Sequence, residues 1–98
     1  MSALRFEWDD RKNETNRQKH GVSFEEARTV FNDEHGLLVD DPDHAETEDR
    51  FILLGISSTL RTLVVCHCYR RNDDVIRIIS ARRANRRERV DYERRWMR

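Results

Sequence analysis

The chain is short of the features that would place it in a membrane, outside the cell or around a structural metal. No apolar run approaches the roughly 20 residues that a membrane-spanning helix needs. The amino terminus lacks the basic and then apolar pattern of a secretory signal, so a soluble cytoplasmic protein is expected. Cysteine occurs twice in 98 residues, as Cys66 and Cys68. In a strand the two sulfurs would share one face, too close in sequence for an ordinary disulfide, and no second cluster completes a zinc site. They read as small reduced core residues, with a metal site as the alternative. The acidic group Asp40, Asp41 and Asp43 lacks the spacing and glycine of an EF-hand, which favours a solvated loop over calcium. Nothing in the chain calls for a cofactor. Proline (one) and glycine (three) are scarce, so the chain is punctuated at few places, Gly21, Gly36 and Pro42 among them.

What the chain has in quantity is charge. Charged residues make up 39% and hydrophobic residues 37%, which implies a compact core under an ionic surface. The apolar residues cluster in periodic segments, and this argues against disorder. The length suits one small domain, residues 1–98, with a single modest core. The formal net charge of zero conceals an asymmetry. Residues 1–49 hold 6 Lys+Arg against 14 Asp+Glu, a net of −8, while residues 50–98 hold 13 Arg and no Lys against 5 Asp+Glu, a net of +8. Arginine throughout the basic half favours planar, bidentate recognition over point-charge attraction. Such a surface can face a polyanion, or the two halves can pair with each other in the fold.

Residues 4–8 alternate and predict a first strand that buries Phe6 and Trp8. Asp9 or Asp10 offers an N-cap, and the helix that follows should close at Gly21, with Lys19 and His20 complementing its carboxyl end. Ser23 and Glu26 have capping-box spacing, with Glu26 expected to reach back to the helix start. The second helix should bury Phe24, Ala27, Val30 and Phe31. Residues 37–39 predict a short strand, 40–49 an acidic loop, and 50–57 and 60–69 two strands joined at Ser58 and Thr59. A turn at 71–74 leads to another strand, and from about Asn85 a weakly amphipathic helix carries Val90, Tyr92, Trp96 and Met97 as its sizeable apolar groups. The expected fold is α+β, in the order β-α-α-β-β-β-β-α. Its small antiparallel sheet has two N-terminal helices with apolar stripes on one face, leaving the other face for chemistry.

The last strand is unusual in carrying guanidinium groups. Simple alternation puts Ile76, Ile78 and Ser80 on one side and Arg77, Ile79 and Ala81 on the other. Arg77 therefore reads either as an anion-binding group or as half of a structural Arg-carboxylate pair, with the two evenly balanced.

A larger pattern covers nearly the whole chain. It comprises Phe6-Glu7-Trp8-Asp9, Lys12 and Asn16, then residues 19–27, Asp43-His44 and Glu48-Asp49-Arg50, and finally residues 76–84 with Glu88-Arg89 and Tyr92. This ordered set resembles the BrnT toxins of bacterial type II toxin-antitoxin systems. The resemblance implies a RelE/ParE-like fold and a ribonuclease that arrests translation and growth. It also implies a cognate BrnA antitoxin, a ribbon-helix-helix DNA-binding protein, and repression of the shared operon by the complex, so that operator DNA is met only through the antitoxin. On this reading the substrate is RNA, free or ribosome-associated.

RNA can be cut without metal if its 2′-hydroxyl is deprotonated and attacks the adjacent phosphorus, which requires a base, a cation and an acid. Arg50, Arg61 and Arg77 start or occupy three strands and Arg82 and Arg83 lie at the exit of the last, so together they could bracket a phosphate. Arg61, His67 and Tyr69 share a strand face and join Arg77 only if that face is open. Among the histidines, His20 reads as a helix cap, His35 as a solvated turn residue, His44 as a site or partner contact, and His67 as a satisfied sheet histidine or a base. Glu48 reads as a base or as the ion-pair partner of Arg50. Trp8 and Tyr92 could stack on RNA bases, though Trp8 reads better as core.

Three functional classes remain open at this level. One is an endoribonuclease acting on mRNA. Another is a non-enzymatic inhibitor of the kind represented by ParE-like proteins that poison DNA gyrase. The third is an arginine-rich nucleic-acid-binding module with steeply salt-dependent affinity. The bare residues lean to the third, and the family resemblance puts the nuclease first.

Overall fold

A computed structural model describes residues 4–41, 50–71 and 74–96, with the side chain of Trp96 outside that description. The elements run β1 (Arg5–Glu7), α1 (Asp10–His20), α2 (Phe24–Thr29), β2 (Leu37–Asp40), β3 (Phe51–Ile56), β4 (Thr62–Arg70), β5 (Val75–Arg83) and α3 (Arg86–Trp96), with a 3₁₀ turn at Val30–Asn32 extending α2. The five strands form one sheet in the order β1-β5-β4-β3-β2. Strands β2 to β5 are antiparallel neighbours. Strand β1 lies parallel to β5, with Phe6 opposite Ile76, so the sheet is mixed and not antiparallel throughout. The turns between β2 and β5 announce antiparallel pairing, but no local signal reports a partner lying at the other end of the chain.

Local chemistry sets the helix boundaries. Asp9 caps α1, its Oδ1 accepting from the Arg11 and Lys12 amides at 2.9 and 3.1 Å. The Lys12 amide in particular holds the Asp9 carboxyl below its ordinary range. Gly21 ends the helix in the left-handed region at φ 70°, and its amide donates to the Arg17 carbonyl, a conformation glycine adopts without a Cβ penalty. Ser23 caps α2 by accepting from the Glu26 amide at 3.1 Å. The expected apolar stripe on α1 is absent: its sequence is polar all round and its one buried residue is Asn16. Polar bonds take the place of that stripe. Asn16 Nδ2 donates to the carbonyls of Val22 and Ala81, at 2.9 and 2.8 Å, and its Oδ1 accepts from the Ala81 amide at 3.1 Å. The carboxamide thus takes both backbone groups of one β5 residue, much as a neighbouring strand would, beyond the point where β1 stops pairing.

The main core lies between the sheet and the α1–α2 layer. It gathers Val22, Phe24, Ala27 and Val30 against Leu53, Leu63, Val65, Ile78 and Ala81. Full burial of side chains such as Phe24 and Val30 contributes about 2 kcal/mol each. Gly55 is required here, because a Cβ at that position would stand 2.8 Å from Val30 Cγ1 and 3.0 Å from Asp33 Oδ2. On the opposite face a smaller cluster, Leu54, Val64, Ala84 and Tyr92, seats α3 on the sheet.

Strand β5 does not keep simple alternation. Its register against β4 shifts so that Cys66 faces Ser80 while His67 faces Ile78, leaving Ile79 as the extra residue. Such a bulge reverses the phase of everything after it. Ala81 consequently enters the core with Ile78, while Ser80 and Arg82 turn to the other face beside Cys66.

Candidate functional site

The face not covered by α1 and α2 carries a shallow depression of about 240 Å³ lined by Asp41, Arg50, Ile52, Val64, Cys66, Ser80, Ala81 and Arg82. Arg50 stands at the start of β3 and Arg82 near the end of β5, with β4 between them. By register Arg50 falls level with Arg77, two strands across, and Arg82 lies four residues further along β4, so the backbones that carry Arg50 and Arg82 are roughly 16 Å apart while both side chains line the one depression. The β5 bulge is what brings Arg82 and Ser80 to this face. Asp41 is buried at the rim, and its amide donates to the Arg50 carbonyl at 2.9 Å. The chain therefore leaves for residues 42–49 and returns from them at the edge of the depression. Cys66 Sγ lies 3.6 Å from Asp41 Oδ2. Burial, and then the Asp41 carboxylate, push its thiol up to about 11. A thiol so shifted stays protonated at neutral pH and offers no thiolate nucleophile.

Three of the arginines singled out from the sequence, Arg61, Arg77 and Arg82, are held by carboxylates. Arg61 pairs with Glu26 through Nη2 on Oε1 and through Nε on Oε2 at 2.9 Å. The Ser57 and Thr59 hydroxyls also donate to Glu26 Oε2, at 2.7 and 2.6 Å. Led by the Arg61 contact and opposed by burial, these bonds lower the Glu26 pKa to about 2. Glu26 therefore does not turn back to its own helix start as a capping box requires; it ties α2 to the β3–β4 turn. Arg77 Nη1 donates to Glu7 Oε2 at 2.6 Å, directly across the β1–β5 pair. Arg82 makes a two-pronged contact with Glu88, at 2.8 and 2.9 Å. The reciprocal capping box of this chain lies at the same place. Asn85 Oδ1 accepts from the Glu88 amide at 2.8 Å and Glu88 Oε1 accepts from the Asn85 amide at 2.9 Å.

Several expected site residues lie elsewhere. Arg61, His67 and Tyr69 occupy the opposite side of β4 from Cys66, so they do not join the depression. His67 is 0% exposed, enclosed by the rings of Phe31, Phe51 and Tyr69. Burial pushes its pKa below the ordinary histidine value, against the pull of the Val65 carbonyl 3.2 Å from Nδ1. It is a neutral core histidine, out of reach of a substrate proton. Tyr69 packs edge-on against Phe51 and His67. Tyr92 is 2% exposed and its hydroxyl donates to Asp33 Oδ2, so its ring is not available to stack on a base. Burial acts to raise the Asp33 pKa, but the Tyr92 hydroxyl and the Ile56 and His35 amides outweigh it and leave the group below its usual range. His44 and Glu48, together with Met97 and the side chain of Trp96, lie outside the described residues.

Arg86 and Arg87 were not among the expected site residues. Both are exposed on the first turn of α3, which follows Arg82 and Arg83 at the end of β5. The signal was present in the sequence as the run from Arg82 to Arg89, but it reads as an ordinary solvated helix until the capping box at Asn85 and Glu88 fixes the helix start beside β5. Among the described residues, no helix is long and apolar enough to cross a membrane.

Comparison with known proteins agrees with this architecture. The crystal structure, at 1.1 Å resolution, of the Brucella abortus ribonuclease toxin BrnT superimposes with a TM-score of 0.67 at 21% sequence identity, covering 86% of this chain and 100% of that one. A comparison with curated proteins found no match. Residues 8–88 match the family model described as "Ribonuclease toxin, BrnT, of type II toxin-antitoxin system". That span holds α1, α2, β2 to β5 and the capping box of α3, and this chain therefore belongs to the BrnT family of ribonuclease toxins.

Proposed function

We propose that this chain is a metal-independent endoribonuclease that cuts mRNA at the depression flanked by Arg50 and Arg82 and so arrests translation and growth. The convergence of these two arginines from β3 and β5 on one uncovered patch of sheet carries the reading. Deprotonation of a 2′-hydroxyl lets that oxygen attack the adjacent phosphorus. The new O–P bond forms as the bond to the 5′-oxygen breaks, and the departing oxygen takes up a proton. Arg50 and Arg82 supply the donors that stabilise the negative charge gathered on the phosphoryl oxygens. Arg77, on the same side of β5, and Arg83, Arg86 and Arg87 guide the flanking backbone. His44 and Glu48 are the proposed proton-transfer groups, because the segment that holds them departs from Asp41 and rejoins at Arg50, both at the depression.

In this reading the fold is of the RelE/ParE type. The partner that a type II toxin implies is a BrnA-like ribbon-helix-helix antitoxin, which brings the pair to operator DNA. The test is to incubate purified toxin, free of antitoxin, with mRNA in the presence of a chelator, alone and with ribosomes, and to map the ends produced. Fragments ending in 2′,3′-cyclic phosphate and beginning with 5′-hydroxyl support the proposal. Intact RNA in a folded sample, together with unimpaired translation, removes it. Loss of gyrase supercoiling with RNA intact would assign the chain to the inhibitor class instead.

A further inference from the structure

A groove of about 650 Å³ opens between α3 and the β3–β4 turn, away from the depression that holds Arg50. Its apolar surface comes from Ile56, Leu60, Ala84 and Tyr92, and Arg83 and Arg89 stand at its walls. Leu60 is 79% exposed and sits at φ 65°. A leucine in the left-handed region is a backbone outlier, since that conformation suits glycine or asparagine. The turn thus holds an apolar side chain out into solvent at the mouth of an apolar groove, in a conformation that disfavours it. The charges around the groove do not balance. Arg61 is neutralised by Glu26, and among the described residues Glu93 is the one carboxylate lining the groove. Among the described residues neither Arg83 nor Arg89 has a carboxylate partner. The Arg89 guanidinium donates to the Ala84 carbonyl, at 3.2 Å.

We propose that this groove seats an acidic, apolar-faced segment of the cognate antitoxin, whose aliphatic side chains cover Leu60, Ile56 and Tyr92 while its carboxylates meet Arg83 and Arg89. The inference rests on family membership for the existence of an antitoxin, and on the groove for where and by what chemistry it binds. An apolar floor walled by unpaired arginines is complementary to an amphipathic acidic segment and repels a basic one. RNA is the less suitable occupant, because phosphate backbone gains little from an exposed leucine.

Leu60→Gly separates binding from folding. Glycine tolerates φ 65° better than leucine, so this variant is expected to melt at or above the wild-type temperature. It is also expected to cleave RNA at the wild-type rate and to bind purified antitoxin at least ten-fold more weakly by titration calorimetry. Arg89→Glu should weaken the same binding at least ten-fold, with the loss growing as salt is lowered. Wild-type antitoxin affinity in both variants would overturn the proposal. So would a Leu60→Gly variant that binds antitoxin fully but loses RNA cleavage, which would give the groove to the substrate. A concentration-dependent dimer in sedimentation that Leu60→Gly abolishes would give it to a second copy of the chain and overturn the proposal equally. Tight antitoxin binding by a wild-type toxin that cuts no RNA would refute the nuclease reading and leave the groove assignment standing.

Discussion

On the side of the sheet covered by α1 and α2, each polar group that comes inside meets a partner within the protein. Glu26 receives Arg61, Ser57 and Thr59, Asn16 receives both backbone groups of Ala81, and His67 is closed in by rings. Among the described residues no buried side-chain nitrogen or oxygen lacks a hydrogen-bond partner. On the other side Arg50 and Arg82 flank a depression that Cys66 and Ser80 also line. Arg82 is 44% exposed even while it holds Glu88. The difference teaches where an arginine's charge is spent. Enclosed with a carboxylate, it locks an element in place and is invisible to a ligand. On the open face, Arg82 keeps nearly half of its side chain exposed while it holds Glu88, and that exposed part is within reach of a ligand.

That contrast can be broken by experiment. Arg61→Ala should have the largest effect, leaving the Glu26 carboxylate enclosed with only two hydroxyls. A loss of about 3 kcal/mol is expected for breaking such a pair. In a domain of this size that corresponds to a fall of about 15 °C in Tm, with RNA cleavage per folded molecule unchanged. If Arg61→Ala instead abolished cleavage at an unchanged Tm, the assignment of the two faces would be reversed. Arg50→Ala should behave in the opposite way, lowering cleavage about 100-fold, the usual effect of removing one preorganised donor to a developing anion, while the melt stays within about 3 °C of wild type. A collapsed melt would make Arg50 a structural residue.

Asn16→Ala should cost about 2 kcal/mol, since it strands the Ala81 amide and carbonyl at the β5 edge, and denaturant titration would measure it. Asn16→Asp should not rescue the loss, because a carboxylate cannot donate to the Val22 and Ala81 carbonyls. Acid should act more gently at first. The Glu26 pKa lies near 2 in the folded chain against 4.5 unperturbed, so its contribution is complete above about pH 4.5 and disappears as pH falls toward 2. His67, whose folded pKa lies below 6.5, acts in the same direction, since the unfolded chain takes up its proton first as pH drops. Stability measured by urea melts should therefore begin to decline below about pH 6.5 and fall more steeply below 4.5. In Glu26→Gln the steeper limb should be reduced.

Much of the fold was legible because its signals are local. Asp9, Gly21 and Ser23 mark helix ends by their own side chains or backbone freedom, and the hairpin strands are separated by short polar turns. The parallel β1–β5 pair was not, since nothing near Phe6 records that Ile76 will lie beside it. The site was only partly legible for a related reason. Strict alternation along β5 puts Ser80 with the core residue Ile78, and one extra residue at Ile79 reverses that. Glu26 has the spacing of a capping box, but Arg61, at the end of a different loop, competes for it with a full positive charge. Arg77 was expected among the phosphate-binding arginines, and it also meets Glu7 across the β1–β5 pair, a partner at the other end of the chain that strand periodicity does not announce.

The placement of β1 beside β5 also governs when the molecule can come into existence. Strand β1 is joined to the sheet only through β5, and the buried face of α1 is bonded to Ala81, 65 residues beyond Asn16. During synthesis β1 and α1 leave the ribosome before the strand they dock on, and they wait until β5 has been made. Contacts of such long separation also slow folding after release. A growing chain therefore has no assembled sheet between Arg50 and Arg82 until β5 has been made, and the product cannot act before that strand is in place.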